Sequence, residues 1–186
     1  VTWTSADNGG VGSPAGTDVV GQVFDPLGQA VGAEFLVNTG TSTGNEVMSD
    51  IVALPGGGYV AIYDAVVSPG GVSSVIQGFD AAGAPIGTFN IAAPSGSTGG
   101  DGRLAVLSPT GGLWVDTLTD TGAGTSIIRG AIIDLTFGAA PVTFDIITVS
   151  GTNLNPAVTA LAGGTYVVVA ETLSGEGPFT VFAPTN

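Results

Sequence analysis

An internal repeat constrains the fold of this chain more than any other feature. Residues 54–64, a Gly-rich turn followed by apolar residues and an acid, recur as 107–116 and as 161–171. A second element at 19–28 matches 75–83 and, with more divergence, 127–134. A third element follows each time, at 33–37, 87–91 and 142–147. The period is roughly 53 residues, and periods of this length indicate propellers, solenoids or arrays.

Each unit contains about four short runs rich in β-branched residues, separated by turns of Gly, Pro, Asn, Asp and Ser. No segment has helical periodicity, so the sequence predicts an all-β fold. We expect one domain, 1–186, with units at about 1–58, 59–113 and 114–165 and a partial unit at 166–186. Four strands per unit is typical of a β-propeller, which usually has four or more blades. A β-sandwich or a β-solenoid therefore stays open as an alternative.

Composition excludes several functions. The chain has 186 residues with no Lys, His or Cys, and its 2 cations face 15 carboxylates, which gives a net charge of −13. Nucleic acid would be repelled, because binding it requires clustered cations. Membrane insertion is not predicted, since no apolar run approaches the roughly 18 residues that a spanning helix needs. Zinc, haem and iron–sulfur sites lack their usual ligands, and the common nucleophile–base pairs are missing. We therefore predict that the protein is not an enzyme.

Residues 24–39 carry a resemblance to a known repeat. The stretch Phe24-Asp-Pro-Leu-Gly-Gln-Ala-Val-Gly-Ala-Glu-Phe-Leu-Val-Asn-Thr39 resembles the FD–G–VG–EF–VNT repeats of very large secreted bacterial proteins. Those proteins are adhesin-like or are associated with repeats-in-toxin modules. The resemblance implies an extracellular protein of the bacterial cell surface.

The C-terminal stretch carries a second resemblance. Residues 173–186 are similar to the first conserved box of fasciclin domains, which mediate adhesion. The same stretch falls where the second strand of a fourth unit is expected. Both interpretations stay open at this point, and both imply an adhesive setting.

Acidic side chains near the predicted strand ends are candidate Ca²⁺ ligands, because Ca²⁺ prefers carboxylate and carbonyl oxygens. The candidates are Asp7, Asp18, Asp116 and Asp120. They match neither the EF-hand loop nor the nonapeptide calcium repeat, so solvated loop acids are the favoured interpretation. The sequence implies no cofactor other than this Ca²⁺.

Three aromatic residues are candidate ligand-binding groups. Trp3, Tyr63 and Trp114 lie in or beside the first strand of successive units, where aromatic rings could stack on sugars. The alternative is packing in the core, which is favoured for Trp114 because apolar residues flank it.

Three further acids predict turns. Asp25, Asp80 and Asp134 each end the second strand of a unit, and Asp25-Pro26-Leu27-Gly28 has the residues of a type I turn. We expect these carboxylates to accept hydrogen bonds from turn amides.

Together these features predict an extracellular structural or adhesive surface module, a self-assembling subunit of a fibre or matrix. Its expected partners are copies of itself or neighbouring repeats. The alternative function is glycan binding by a lectin-like propeller. Exposed aromatics in repeated pockets would favour the alternative, and ordered filaments would favour the structural role.

Overall fold

A computed structural model of the chain describes residues 1–6, 16–39, 44–67, 71–120, 122–150 and 154–170. These residues form strands and turns and contain no helix, which confirms the predicted all-β class. The strands are β1 (Thr2–Ser5), β2 (Asp18–Phe24), β3 (Ala30–Leu36), β4 (Glu46–Ala53), β5 (Tyr59–Val67), β6 (Gly71–Phe79), β7 (Pro85–Ala92), β8 (Ser97–Ser108), β9 (Gly111–Asp120), β10 (Thr125–Asp134), β11 (Val142–Ser150), β12 (Ala157–Ala160) and β13 (Tyr166–Val169).

The strands form four antiparallel sheets in chain order. The first sheet is β1-β2-β3, the second is β4-β5-β6-β7, the third is β8-β9-β10-β11, and the fourth is β12-β13. Within each sheet, strands that follow one another in the chain are hydrogen-bonded neighbours. This pattern follows from tight turns, which bring consecutive strands together as antiparallel hairpins.

The sheets begin one strand earlier than the predicted unit borders. The predicted borders leave residues 46–53 at the end of the first unit, but β4 pairs with β5 and so belongs to the second sheet. The turn between them explains the pairing. It is closed by hydrogen bonds between Leu54 and the Gly57–Gly58 pair, and both glycines have positive φ, which suits a tight hairpin. β8 and β12 likewise open the third and fourth sheets.

Three apolar clusters lie between consecutive sheets. The cluster between the first and second sheets includes Val19, Val37, Ala61, Tyr63, Val75 and Phe79. The cluster between the second and third includes Val60, Ile62, Ile76, Leu104, Trp114 and Ile133. The cluster between the third and fourth includes Leu113, Val115, Ile128, Leu154 and Val168. The sheets therefore pack face to face in chain order.

Strand β5 shows why its sequence is apolar without interruption. Val60 and Ile62 face the third sheet, whereas Ala61 and Tyr63 face the first. Side chains of a strand alternate between its two faces, and here both faces are covered. Strand β9 repeats this arrangement. In the part of the chain that the structure describes, no helix has the length and apolarity to span a membrane.

The predicted turn caps are confirmed. Asp25 Oδ1 accepts hydrogen bonds from the amides of Leu27 and Gln29 at 2.9 and 2.8 Å. Asp80 Oδ1 accepts the equivalent bonds from residues 82 and 84. Asp134 accepts bonds from the amides of residues 136, 138 and 139. These carboxylates hold the turns between the second and third strands of the repeat.

Candidate functional site

A buried ion pair lies between the second and third sheets. Asp116 of β9 and Arg129 of β10 are directly opposite in the antiparallel register, so their side chains point to the same face. Arg129 Nε donates to Asp116 Oδ1 at 3.0 Å, and Nη2 donates to Oδ2 at 2.5 Å. The pair is therefore bidentate, which is the strongest arrangement for a guanidinium and a carboxylate.

The surroundings of this pair leave it little access to water. The Asp116 side chain is 0% exposed and that of Arg129 is 7% exposed. Arg129 also donates through Nη1 to the Ala92 carbonyl of the second sheet at 3.1 Å, and its Cζ lies 5.5 Å from the centre of the Trp114 ring. Burial raises the pKa of the Asp116 carboxyl, and the hydrogen bond and charge of Arg129 oppose that rise.

A second carboxylate lies in the same interface. Asp64 of β5 accepts a hydrogen bond from Ser74 Oγ at 2.8 Å and another from the Asp101 amide of β8 at 3.1 Å. Its negative charge further raises the pKa of Asp116. A Cβ added at Gly102 would lie 3.0 Å from Trp114 Nε1, so glycine lets β8 lie close to the ring.

This arrangement can tie two sheets together, and it is poorly placed for chemistry. Asp116 is covered on all sides, so a substrate would reach it only if the sheets separated. Among the described residues of this interface, Trp114 Nε1 is buried without a hydrogen-bond partner. The Arg129 guanidinium has partners on both sides of the interface, since it donates hydrogen bonds to β9 of the third sheet and to Ala92 of the second.

Another buried polar cluster joins the first and second sheets. Asn38 Nδ2 donates to Asp18 Oδ1 of β2 at 2.9 Å and to Glu46 Oε2 of β4 at 3.0 Å. Asn38 Oδ1 accepts from the Val19 amide at 2.9 Å. All three polar side chains are almost completely buried. Asn38 is thus a bridge between β2 and β4, the first strand of the next sheet.

Tyr63 belongs to a further polar contact of that interface. Its hydroxyl donates to Gln77 Oε1 at 3.0 Å, and Gln77 Nε2 donates to Thr39 Oγ1 at 3.0 Å. The Tyr63 ring packs in the apolar cluster between the first and second sheets. The hydroxyl therefore satisfies its hydrogen-bonding need without facing solvent.

The structure uses the described candidate Ca²⁺ ligands in other contacts. Asp18 accepts from Asn38, Asp116 pairs with Arg129, and Asp120 Oδ1 accepts from the amides of residues 122 and 123. In the described ranges, no three His, Cys, Asp or Glu side chains are grouped so that they could hold one metal ion. Asp7, the fourth candidate, lies outside the described residues.

The three candidate ligand-binding aromatics lie in different surroundings. Trp3 of β1 is half-buried and opposite Val20. Tyr63 and Trp114 are 1% and 0% exposed, and they belong to two different apolar clusters. Of the three rings, only Trp3 has surface that a sugar could contact.

Several structurally important residues were not among the sequence candidates. Arg129, Asn38 and Glu46 hold the polar contacts between sheets. One signal was available for Arg129, because it is a cation within the otherwise uncharged and largely apolar segment 127–133. A lone cation in the middle of an apolar strand requires a buried carboxylate partner.

Comparison with known proteins adds no relative: the chain matches no protein-family model, no curated protein and no solved structure.

Proposed function

We propose that this chain is a non-catalytic structural or adhesive module of an extracellular bacterial surface, in which propeller-like four-stranded units pack in series and associate with neighbouring repeats or copies. The packing between sheets carries the proposal. Each consecutive pair of sheets is joined by an apolar cluster, so every sheet is built to be covered by the next. Repeat proteins derive their stability from such contacts between neighbours.

The buried polar groups support the same role. Asp116–Arg129 and Asp18–Asn38–Glu46 connect strands of different sheets or sit where two sheets meet. Buried polar contacts of this kind favour one register over others, since a shifted register would leave charges unpaired. Residues of this type are expected in a module whose task is to keep its units in fixed order.

The extracellular setting rests on the resemblance of residues 24–39 to repeats of secreted bacterial proteins. The charge of −13 agrees with it, because a high net charge keeps a surface protein soluble. Glycan binding, the other function considered, has less support, because Tyr63 and Trp114 lie inside apolar clusters.

Electron microscopy of the purified chain, with and without Ca²⁺, tests the proposal. We expect ordered filaments or sheets at high protein concentration, because the faces that join sheets within the chain can join copies. Filaments that form only with Ca²⁺ would assign the cation a role in assembly. Dispersed monomers under every condition would contradict self-assembly, and turnover of glycoside or ester substrates would contradict the non-catalytic assignment.

A further inference from the structure

The turn between β10 and β11 packs against the second sheet through Phe137. Its ring stacks on Phe89 of β7, with centroids 4.9 Å apart and planes at 22°. It also lies over Gly78 and Gly87, where an added Cβ would come within 2.3 and 2.4 Å of Phe137 atoms. Phe137 has φ of +60°, a conformation that is costly for a bulky residue. The packing against the two glycines offsets that cost.

The surface of the third sheet that corresponds to the Phe137-binding surface of the second sheet is exposed. Gly78 and Gly87 are a cross-strand pair, with Phe89 two residues further along β7. On the third sheet Ile132 and Val142 are the matching pair, with Phe144 two residues further along β11. These three side chains are 52%, 78% and 38% exposed, respectively. We call them the Ile132 face.

The Ile132 face lies on the side of the third sheet that faces the fourth sheet. Ile132 lies on the same side of β10 as Ile128, which packs in the cluster shared with the fourth sheet. Gly78 lies on the same side of β6 as Ile76, which packs in the cluster shared with the third sheet. Among the described residues, no turn covers the third sheet at the place that Phe137 covers on the second, although both places face the next sheet in the series.

The turn between β2 and β3 has the shape and chemistry to cover the Ile132 face. Asp25 caps it as Asp134 caps the turn that contains Phe137. Gly28, with φ of +79°, occupies the position of Phe137. Leu27 beside it is 84% exposed, the highest value among the large apolar residues that the structure describes. The third sheet has Ile132 and Val142 where the second sheet has Gly78 and Gly87. Because Gly28 has no side chain, the Leu27 turn leaves space for those two side chains.

We propose that the Leu27 turn of one copy binds the Ile132 face of a second copy. The place corresponds to the one that the Phe137 turn covers on the second sheet, but here the sheet supplies the large side chains and the turn supplies the glycine. The contact joins two different surfaces, so it is heterologous and can continue from copy to copy. This inference rests on the proposed function and names the partner as the chain itself. Asp25 and Asp134 lie in the two turns nearest the contact, so added salt should strengthen association by screening their repulsion.

Sedimentation velocity of the full chain over a concentration series tests the contact, with Leu27→Ser, Val142→Ser and a control. Leu161→Ser is the matched control, because Leu161 is also an exposed leucine in a turn, 46% exposed, and lies outside the proposed contact. All three sites are exposed, so the variants should fold as the parent does. We expect Leu27→Ser and Val142→Ser each to weaken association by on the order of tenfold or more, since each removes a large apolar group from a buried contact. Leu161→Ser should associate as the parent does.

A mixing experiment distinguishes this contact from a symmetric one. Leu27→Ser keeps an intact Ile132 face and Val142→Ser keeps an intact Leu27 turn, so an equimolar mixture should form dimers of one copy of each and stop there. A parent chain that stays monomeric at every concentration would overturn both the self-assembly and this contact. A parent that assembles, with both variants assembling equally well, would overturn this contact alone and leave the proposed function standing.

Discussion

Replacing Arg129 by Met should destabilise the fold far more than an ordinary surface substitution. Arg129 makes two charged hydrogen bonds to Asp116 and one to the Ala92 carbonyl. Met keeps much of the apolar stem and removes the charge. The Asp116 carboxylate, 0% exposed, then stays buried without its cation. Breaking a buried pair in this way costs about 3–5 kcal/mol.

Removing both charges should restore most of the loss. Asp116→Leu combined with Arg129→Met leaves an apolar pair of similar volume beside Trp114, and such replacements are often neutral or stabilise the fold by about 1–4 kcal/mol. The double variant should therefore be more stable than Arg129→Met alone. The Asp116→Leu single variant completes the double-mutant cycle, and the free energies of unfolding of all three variants together give the coupling energy of the two side chains.

The pH dependence of the single variant follows from the pKa of Asp116. Burial raises this pKa in the folded state, and Arg129 opposes the rise. A raised folded pKa means that the group favours the fold below its unfolded pKa and that this contribution is lost as pH rises through the folded pKa. Without Arg129 the rise is larger, so the destabilisation of Arg129→Met should shrink as the pH is lowered towards the range where Asp116 binds a proton.

Urea unfolding followed by tryptophan fluorescence measures these free energies, because Trp114 is buried beside the pair. The reasoning is refuted if Arg129→Met loses less than about 1 kcal/mol at neutral pH, or if the double variant is no more stable than the single one.

Two further predictions concern the turns of the repeat. Gly78→Ala would place a Cβ 2.3 Å from the Phe137 ring and should lower the free energy of unfolding by about 1–3 kcal/mol. In the control Gly56→Ala the added Cβ meets nothing within 4 Å, so its free energy of unfolding should stay within about 0.5 kcal/mol of the parent. Equal effects of the two substitutions would contradict the contact between Phe137 and Gly78. The side-chain hydrogen bond from Thr136, followed by backbone amides of the turn, lowers the pKa of Asp134, so its stabilisation is present above the unfolded pKa and is lost as pH falls through the folded one. Asp134→Asn should remove this part of the pH dependence of the free energy of unfolding. If variant and parent show the same pH dependence, the Asp134 carboxylate does not stabilise the turn.

The all-β class and the turn caps could be predicted because they depend on local chemistry. Asp25 and Asp80 are followed at fixed distances by glycine, and a carboxylate at that position bonds the amides two and four residues later. No knowledge of the rest of the fold is needed for such an inference.

The pairing between sheets could not be predicted in the same way. Asp116 and Arg129 are opposite only because β9 and β10 pair in one register, and a shift of one residue would turn each side chain to the other face. Asn38 joins Asp18 to Glu46 only when β4 opens the second sheet, the strand assignment that differs from the predicted unit border. Long-range register is a property of the assembled sheets.

The burial of Tyr63 and Trp114 bears on where function can reside in such a chain. Tyr63 and Trp114 each lie on the second strand of a sheet. Their rings could be open to a ligand if one face of the sheet were solvated, as is common for antiparallel sheets. Here β5 and β9 are covered on both faces by neighbouring sheets. Residues available to a partner therefore belong to the turns and outer strands, where Leu27 and Val142 are exposed. Because β5 and β9 are buried in this way, we expect any partner of the second and third sheets to contact their turns and outer strands.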